Sequence, residues 1–145
     1  MRLLSLFALI LLAANAATAQ ANASPLSATP DDEFIRATIE SSAIDGHLYK
    51  IAPRMGDAAA VSITRAIAGD VPSRSQIETS LLILNDAFID VSIVQNIPDR
   101  SPRTALLLLR YFETVTTDTK LHEQIESTRE RILEKTKSAA GAPPK

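Results

Sequence analysis

The chain has 145 residues, no cysteine, two histidines and four glycines, and its 15 Lys and Arg set against 17 Asp and Glu give a net charge of −2. Without cysteine there are no disulfides, no thiol catalysis and no thiolate zinc site, so any folded domain is held by packing alone. A balanced charge removes the basic excess that phosphate neutralisation by a nucleic-acid-binding protein requires, and no glycine-rich phosphate loop or Gly-x-Ser-x-Gly elbow is present.

Met1 and Arg2 supply a short positive start, and residues 3–14 form an apolar run interrupted only by Ser5. That run falls short of the roughly 20 apolar residues of a bilayer-spanning helix and matches the roughly 7–15 of a signal-peptide core. It has no polar face, which argues against an amphipathic first helix. Ala17-Thr18-Ala19 follows the small-residue cleavage pattern and sets the cut before Gln20, with Ala19-Gln20-Ala21 as a second match. The expectation is a cleavable leader over residues 1–19, export to a periplasm or out of the cell, and no stable membrane anchor after cleavage. Residues 20–29, rich in Ala, Ser, Asn and Pro, read as a flexible segment. Within them Asn22-Ala23-Ser24 is a glycosylation sequon, relevant only in a eukaryotic secretory pathway.

Helical punctuation follows over residues 30–137. Thr29-Pro30-Asp31-Asp32 offers an N-cap, a proline in the first turn and acids at the positive end of the helix dipole. This helix should turn Phe34, Ile35 and Ile39 inward and end near Gly46. A short segment from His47 to Ala52 is expected to stop at Pro53. Gly56-Asp57 then starts a helix running to Gly69, with Ala60, Val61, Ile63 and Ile67 for burial. Ser73 and Gln76 form a capping box for the next helix, whose apolar stripe is Ile77, Leu81, Leu84 and Phe88. After a loop through Ile97-Pro98, Ser101-Pro102 opens a very apolar helix containing Ala105 to Leu109 and Phe112, expected to be the most buried. Its leucine run fits a helix better than the alternative, a short buried strand. Thr117 or Asp118 caps a last helix with Leu121, Ile125 and Ile132 on one face, Leu133 beside them, and Glu126 and Glu130 among Lys120, Arg129 and Arg131 on the other. Residues 138–145 read as a disordered tail. The fold class is therefore all-α, five to six helices arranged as antiparallel pairs.

The chain also resembles itself. A shift of 45 residues sets Pro53 on Pro98, Ala60 on Ala105, Ile63 on Leu108, Arg65 on Arg110 and Ile67 on Phe112. A shift of 44 sets Ile77 on Leu121, Leu81 on Ile125 and Phe88 on Ile132. With this period and the proline and Gly56-Asp57 start before the first helix, the segment from Ile51 to Leu133 resembles a pair of HEAT-like helical repeats, whose unit is roughly 40–47 residues. The resemblance implies a two-layer helical stack with an interaction surface in place of a catalytic centre, capped by the helices before Ala52. A compact bundle of amphipathic pairs is the alternative.

Several residues are candidates for chemistry. His122 and Glu126, four apart on one helical face, have ligand spacing, but Glu stands where the zinc-protease pattern H-E-x-x-H has its second histidine; the other reading is a solvated, charged face. Asp86 and Asp90 are also four apart and would make an acid/base pair only if one were buried; otherwise they are exposed helix-end acids. Asp45-Gly46-His47-Leu48-Tyr49 is either a ligand-contacting corner or a helix end with His47 in solvent and Tyr49 half-buried. Arg65 and Arg110, equivalent under the internal shift, are the candidate binding residues for an acidic partner, unless they pair with local carboxylates such as Asp57 or Asp99.

These readings combine into an exported, non-enzymatic helical module that binds another protein, with no catalytic residues, metal, cofactor or nucleic acid. Two alternatives stand beside it: a metal-dependent hydrolase using His122 and Glu126, and a small-ligand or lipid carrier with a cavity between helices.

Overall fold

The computed structural model describes residues 28–88 and 101–140. Among them are six helices and no strand: α1 (Pro30–Ser41), α2 (Leu48–Met55), α3 (Asp57–Ala66), α4 (Arg74–Ala87), α5 (Arg103–Val115) and α6 (Thr119–Ala140). The all-α class thus holds, and the leucine run of α5 is helix. The leader, the Asn22 sequon, Asp90 and the Ile97-Pro98 loop lie outside the described residues. Among the described residues no helix is long and apolar enough to cross a membrane.

Helices alternate between two layers. In one, α1 packs on α3 and α3 on α5; in the other, α2 packs on α4 and α4 on α6. The layers meet where α3 packs on α4 and α5 on α6, with α1 also touching α4. Between them lies one apolar core that includes Ile35, Ile39, Leu48, Ile63, Leu84, Leu109, Phe112, Leu121, Ile125 and Ile132, all essentially inaccessible. Of the helices aligned by the internal shift, α3 and α5 are therefore neighbours in one layer and α4 and α6 neighbours in the other.

Local chemistry sets most boundaries. Thr29 and Asp32 form a reciprocal capping box on α1, and Ser73 and Gln76 form one on α4, each satisfying otherwise orphaned N–H groups. Asp118 caps α6, its Oδ1 accepting from the Leu121 N–H at 3.0 Å. The capping of α5 is different. Its N-cap residue, Pro102, provides no side-chain hydrogen bond, and the Asp57 carboxylate of α3 accepts instead from the N–H groups of Thr104 and Ala105, each at 2.9 Å. Asp57, expected to open its own helix, ties two neighbouring helices of one layer together.

Several expectations need correction, among them the end of α3, which stops at Ala66 and not at Gly69. Helix α1 ends at Ser41, short of Gly46, because Ser42 takes a left-handed backbone (φ 52°). The Ser41 hydroxyl also donates back to the Ala37 carbonyl at 2.7 Å and accepts from the Ala43 N–H at 3.2 Å, offering the chain a way out of the helix. Pro53 does not stop α2 but sits buried inside it, near its end, where one missing N–H is outweighed by burial of the ring; the break comes at Gly56. Gly56 has φ 54° and ψ −128°, a backbone that side-chain-bearing residues avoid, which lets α3 begin one residue after α2 ends. Helix α5 is not the most buried: four of its 13 residues are buried, against seven of 14 in α4, and Leu107 is 68% exposed. Finally, α6 continues to Ala140, into the segment expected to be tail.

Candidate functional site

The most unusual surface begins with the amphipathic pattern of α5. Ala105, Leu108, Leu109 and Phe112, spaced three, one and three apart, form the stripe that enters the core. Leu107 and Tyr111, four apart, fall outside that stripe, and they stand 68% and 39% exposed. They face the neighbouring α3. Opposite them, Thr64, Ile67 and Ala68 come from the end of α3 and the turn after it, and Val71, 71% exposed, follows that turn. Gly69, at φ 103°, has open space around it, so glycine is required there by backbone conformation and not by close packing. It reverses the chain so that Asp70 and Val71 reach the groove. The result is an open groove of about 710 Å³ between α3 and α5, lined mainly by apolar side chains, with Asp70 as its one charged lining residue.

The corresponding groove of the other layer, between α4 and α6, has about 630 Å³ and is lined by Leu81 and the exposed Leu82 together with a larger number of polar residues, including Glu78, Asn85, Lys120, Glu123 and Arg131. Three of its polar residues engage one another across the seam. Asn85 donates to Thr128 Oγ1 at 3.2 Å and accepts from Arg131 at 3.4 Å. At one end Arg74 meets Glu78 at 2.9 Å and Asp118 at 2.5 Å. The Leu121 N–H, opposed by some burial and helped by Arg74, holds the Asp118 carboxyl below its ordinary value; its two carboxylate neighbours hold Arg74 above its own.

The arginines singled out by the repeat lie on neighbouring helices of one layer, both exposed, but in different surroundings. Arg65 lines a small groove of about 200 Å³ between α1 and α3 with Asp32, Glu33, Arg36 and Ser62. Asp32 there accepts from Thr29 N at 3.0 Å, Thr29 Oγ1 at 2.9 Å and the Ser62 hydroxyl. Partial burial pushes the Asp32 carboxyl upward, but these hydrogen bonds and the Arg65 charge together hold it below its ordinary value. Arg65 is thus beside Asp32, and not paired with Asp57. Arg110 has no ion-pair or hydrogen-bond partner among the described residues and lies on α5 beside Leu107.

His122 and Glu126 are each turned to another partner. His122 Nε2 is 2.9 Å from the Thr116 carbonyl, which can only accept, so that nitrogen carries a proton and cannot ligate a metal. Glu126 accepts from Arg129, which also bridges to Glu113 of α5 at 2.6 Å. Among the described residues no group of three or more His, Asp or Glu could hold a metal ion. Asp86 is half-buried and burial pushes its carboxyl above the ordinary value, while Asp90 lies outside the described residues. In the Asp45–Tyr49 corner, Asp45 accepts from the His47 N–H at 2.7 Å, and the exposed His47 ring sits edge-on to Phe34 at 5.4 Å. Tyr49, expected to be half-buried, is 60% exposed.

No protein-family model, curated protein or solved structure matches this chain. The surface is therefore read from its own chemistry. Single exposed apolar residues are ordinary on any protein, whereas a contiguous apolar groove is characteristic of a binding surface.

Proposed function

We propose that this protein is an exported, non-enzymatic helical interaction module of HEAT-like layout, which binds another protein through the outer face of the α1–α3–α5 layer. The observation that carries the reading is the contrast between two grooves of similar size: the one between α4 and α6 is lined mostly by polar residues, some of them bonded across the seam, with Leu82 exposed among them, and the one between α3 and α5 is lined mostly by apolar residues and leaves Leu107, Tyr111 and Val71 in solvent. Leaving apolar area exposed forgoes roughly 25 cal/mol per Å² of burial, which a partner can recover. The alternation of helices between two layers and the internal shift both support a repeat layout. The engaged His122 and Glu126 give the hydrolase reading no support, and the open grooves offer a lipid less cover than a carrier cavity needs.

Two measurements test this. Native mass spectrometry of the protein taken gently from its exported fraction should show a chain beginning near Gln20 together with a retained protein; a chain still beginning at Met1 removes the export reading. Once that partner is purified, Leu107→Glu should weaken its binding by at least about tenfold, equivalent to 1.4 kcal/mol, while circular dichroism and unfolding temperature stay unchanged. The Arg65→Ala/Arg110→Ala double variant should weaken it by less. Unchanged affinity in Leu107→Glu removes the groove from the interface.

A further inference from the structure

The geometry points to an amphipathic helix with acidic residues along one flank as the occupant of the α3–α5 groove. This rests on the interaction-module reading above and adds the partner's chemistry. Arg103, Leu107 and Arg110 are spaced four and three apart on α5, so they form one outward stripe beside the groove. Both arginines are exposed, and neither has an ion-pair or hydrogen-bond partner among the described residues. Four other arginines are held in ion pairs, Arg36 with Glu40, Arg54 with Asp31, Arg74 with Glu78 and Asp118, and Arg129 with Glu113 and Glu126, while Arg65 stands beside Asp32 and Arg131 bonds to Asn85. Arg103 and Arg110, which have neither an ion-pair nor a hydrogen-bond partner among the described residues, flank the apolar groove on the α5 side.

The opposite wall carries the reverse sign. Asp70 is the charged residue lining the groove from the α3 side, so a partner with acids on both flanks would meet repulsion there. Complementarity requires acids on the α5 flank and neutral or basic residues on the other. At 1.5 Å per residue, Arg103 and Arg110 are about 10 Å apart along the helix axis, so two partner carboxylates seven residues apart on a helix match their spacing. Apolar side chains three or four residues in from those acids would then meet Leu107 and Tyr111, the usual arrangement when a helix lies in a groove.

Charge also decides against the other occupants. A second copy docked α5 to α5 across the groove would bring the Arg103 and Arg110 of one copy towards those of the other in a desolvated contact, where like charges are costly. An anionic bilayer would meet a chain of net charge −2 and a concave, not a convex, apolar surface.

The test uses the whole mature protein and three displayed libraries of 18-residue helices. In each, the central apolar positions are varied, and the two positions seven apart on one flank are fixed as Glu, Gln or Lys. The wild-type protein should enrich the Glu library at least about tenfold over the Lys library, the preference should shrink with added salt, and Arg103→Glu/Arg110→Glu should reverse it. Arg103→Gln/Arg110→Gln, with folding checked by circular dichroism, should abolish the preference and keep binding. Equal enrichment of all three libraries overturns the acidic assignment while leaving the groove as an interface. Enrichment of none overturns the helix as occupant, and sedimentation of the wild type with phosphatidylcholine/phosphatidylglycerol vesicles, lost in Leu107→Glu, replaces it with a membrane. Loss of the native partner in Leu107→Glu is read separately, so the module can survive when the acidic helix does not.

Discussion

The two outer grooves lie between helices that the internal shift aligns, and they differ in how far their linings are polar. Between α4 and α6, Asn85, Thr128 and Arg131 bond across the seam, and Arg74 joins α4 to the Asp118 cap of α6. Between α3 and α5 the helices are joined by Asp57 reaching the start of α5, while further along the seam the facing residues are Ile67, Leu107, Leu108 and Tyr111. A stack needs only one inner core to fold. Once that core is filled, the outer seams are free to differ.

The largest effect that would sharpen this contrast lies within α5 itself. Phe112 is fully buried, and Phe112→Ala should cost about 3–5 kcal/mol, a large share of a domain's stability, read from urea unfolding. Leu107, five residues before it on the same helix, should cost within about 0.5 kcal/mol when changed to Ala, because its side chain is largely in solvent already. A loss above 2 kcal/mol at Leu107 would break the comparison by making the groove part of the core.

Next in size is Asp57→Ala, expected to cost about 1–2 kcal/mol, with hydrogen exchange accelerating at Thr104 and Ala105 and not in α4. Uniform acceleration over all helices would mean that Asp57 acts by some route other than capping α5.

Smaller effects come with pH. Because Asp32 is held below its ordinary value near 3.8, its ionised form is favoured in the folded state; it adds stability above that value, and the contribution is lost as pH falls through the lower folded value. Ser62→Ala should therefore reduce the drop in unfolding midpoint between pH 5 and pH 2. Asp86 has the opposite sign. Burial favours its neutral form, so its ionisation lowers stability as pH rises from the ordinary value through the raised folded one. Asp86→Asn should raise the unfolding midpoint at pH 7 and leave it unchanged at pH 3; an equal rise at both would assign the effect to something other than charge burial.

Much of the helical framework was legible because its causes are local. Capping boxes at Thr29/Asp32 and Ser73/Gln76 and stripes such as Ile77, Leu81 and Leu84 depend on residues within one or two turns. The errors occur where a competing local term was underweighted, as with the serines that end α1 and the buried ring of Pro53. Half of the candidate site was also readable. In α5, Leu107 lies off the stripe of Ala105, Leu108, Leu109 and Phe112, so the periodicity already marked it as an apolar residue with no place in the core. Expecting α5 to be the most buried helix concealed that. Arg110 was visible through the internal shift, but Arg103 and Val71 carried no comparable signal.

The order of residues determined where helices start, which face of each is apolar, and that the second half of the chain repeats the spacing of the first. Tertiary packing decided which helices became neighbours, and with that the fate of single groups. It sent Asp57 to cap a helix more than forty residues away, set Arg65 beside Asp32, turned His122 to a carbonyl and left Leu107 and Tyr111 facing Val71 across open solvent. The reason is range: a cap or a stripe is an interaction over a few residues, whereas a groove exists only after two distant segments have been brought side by side.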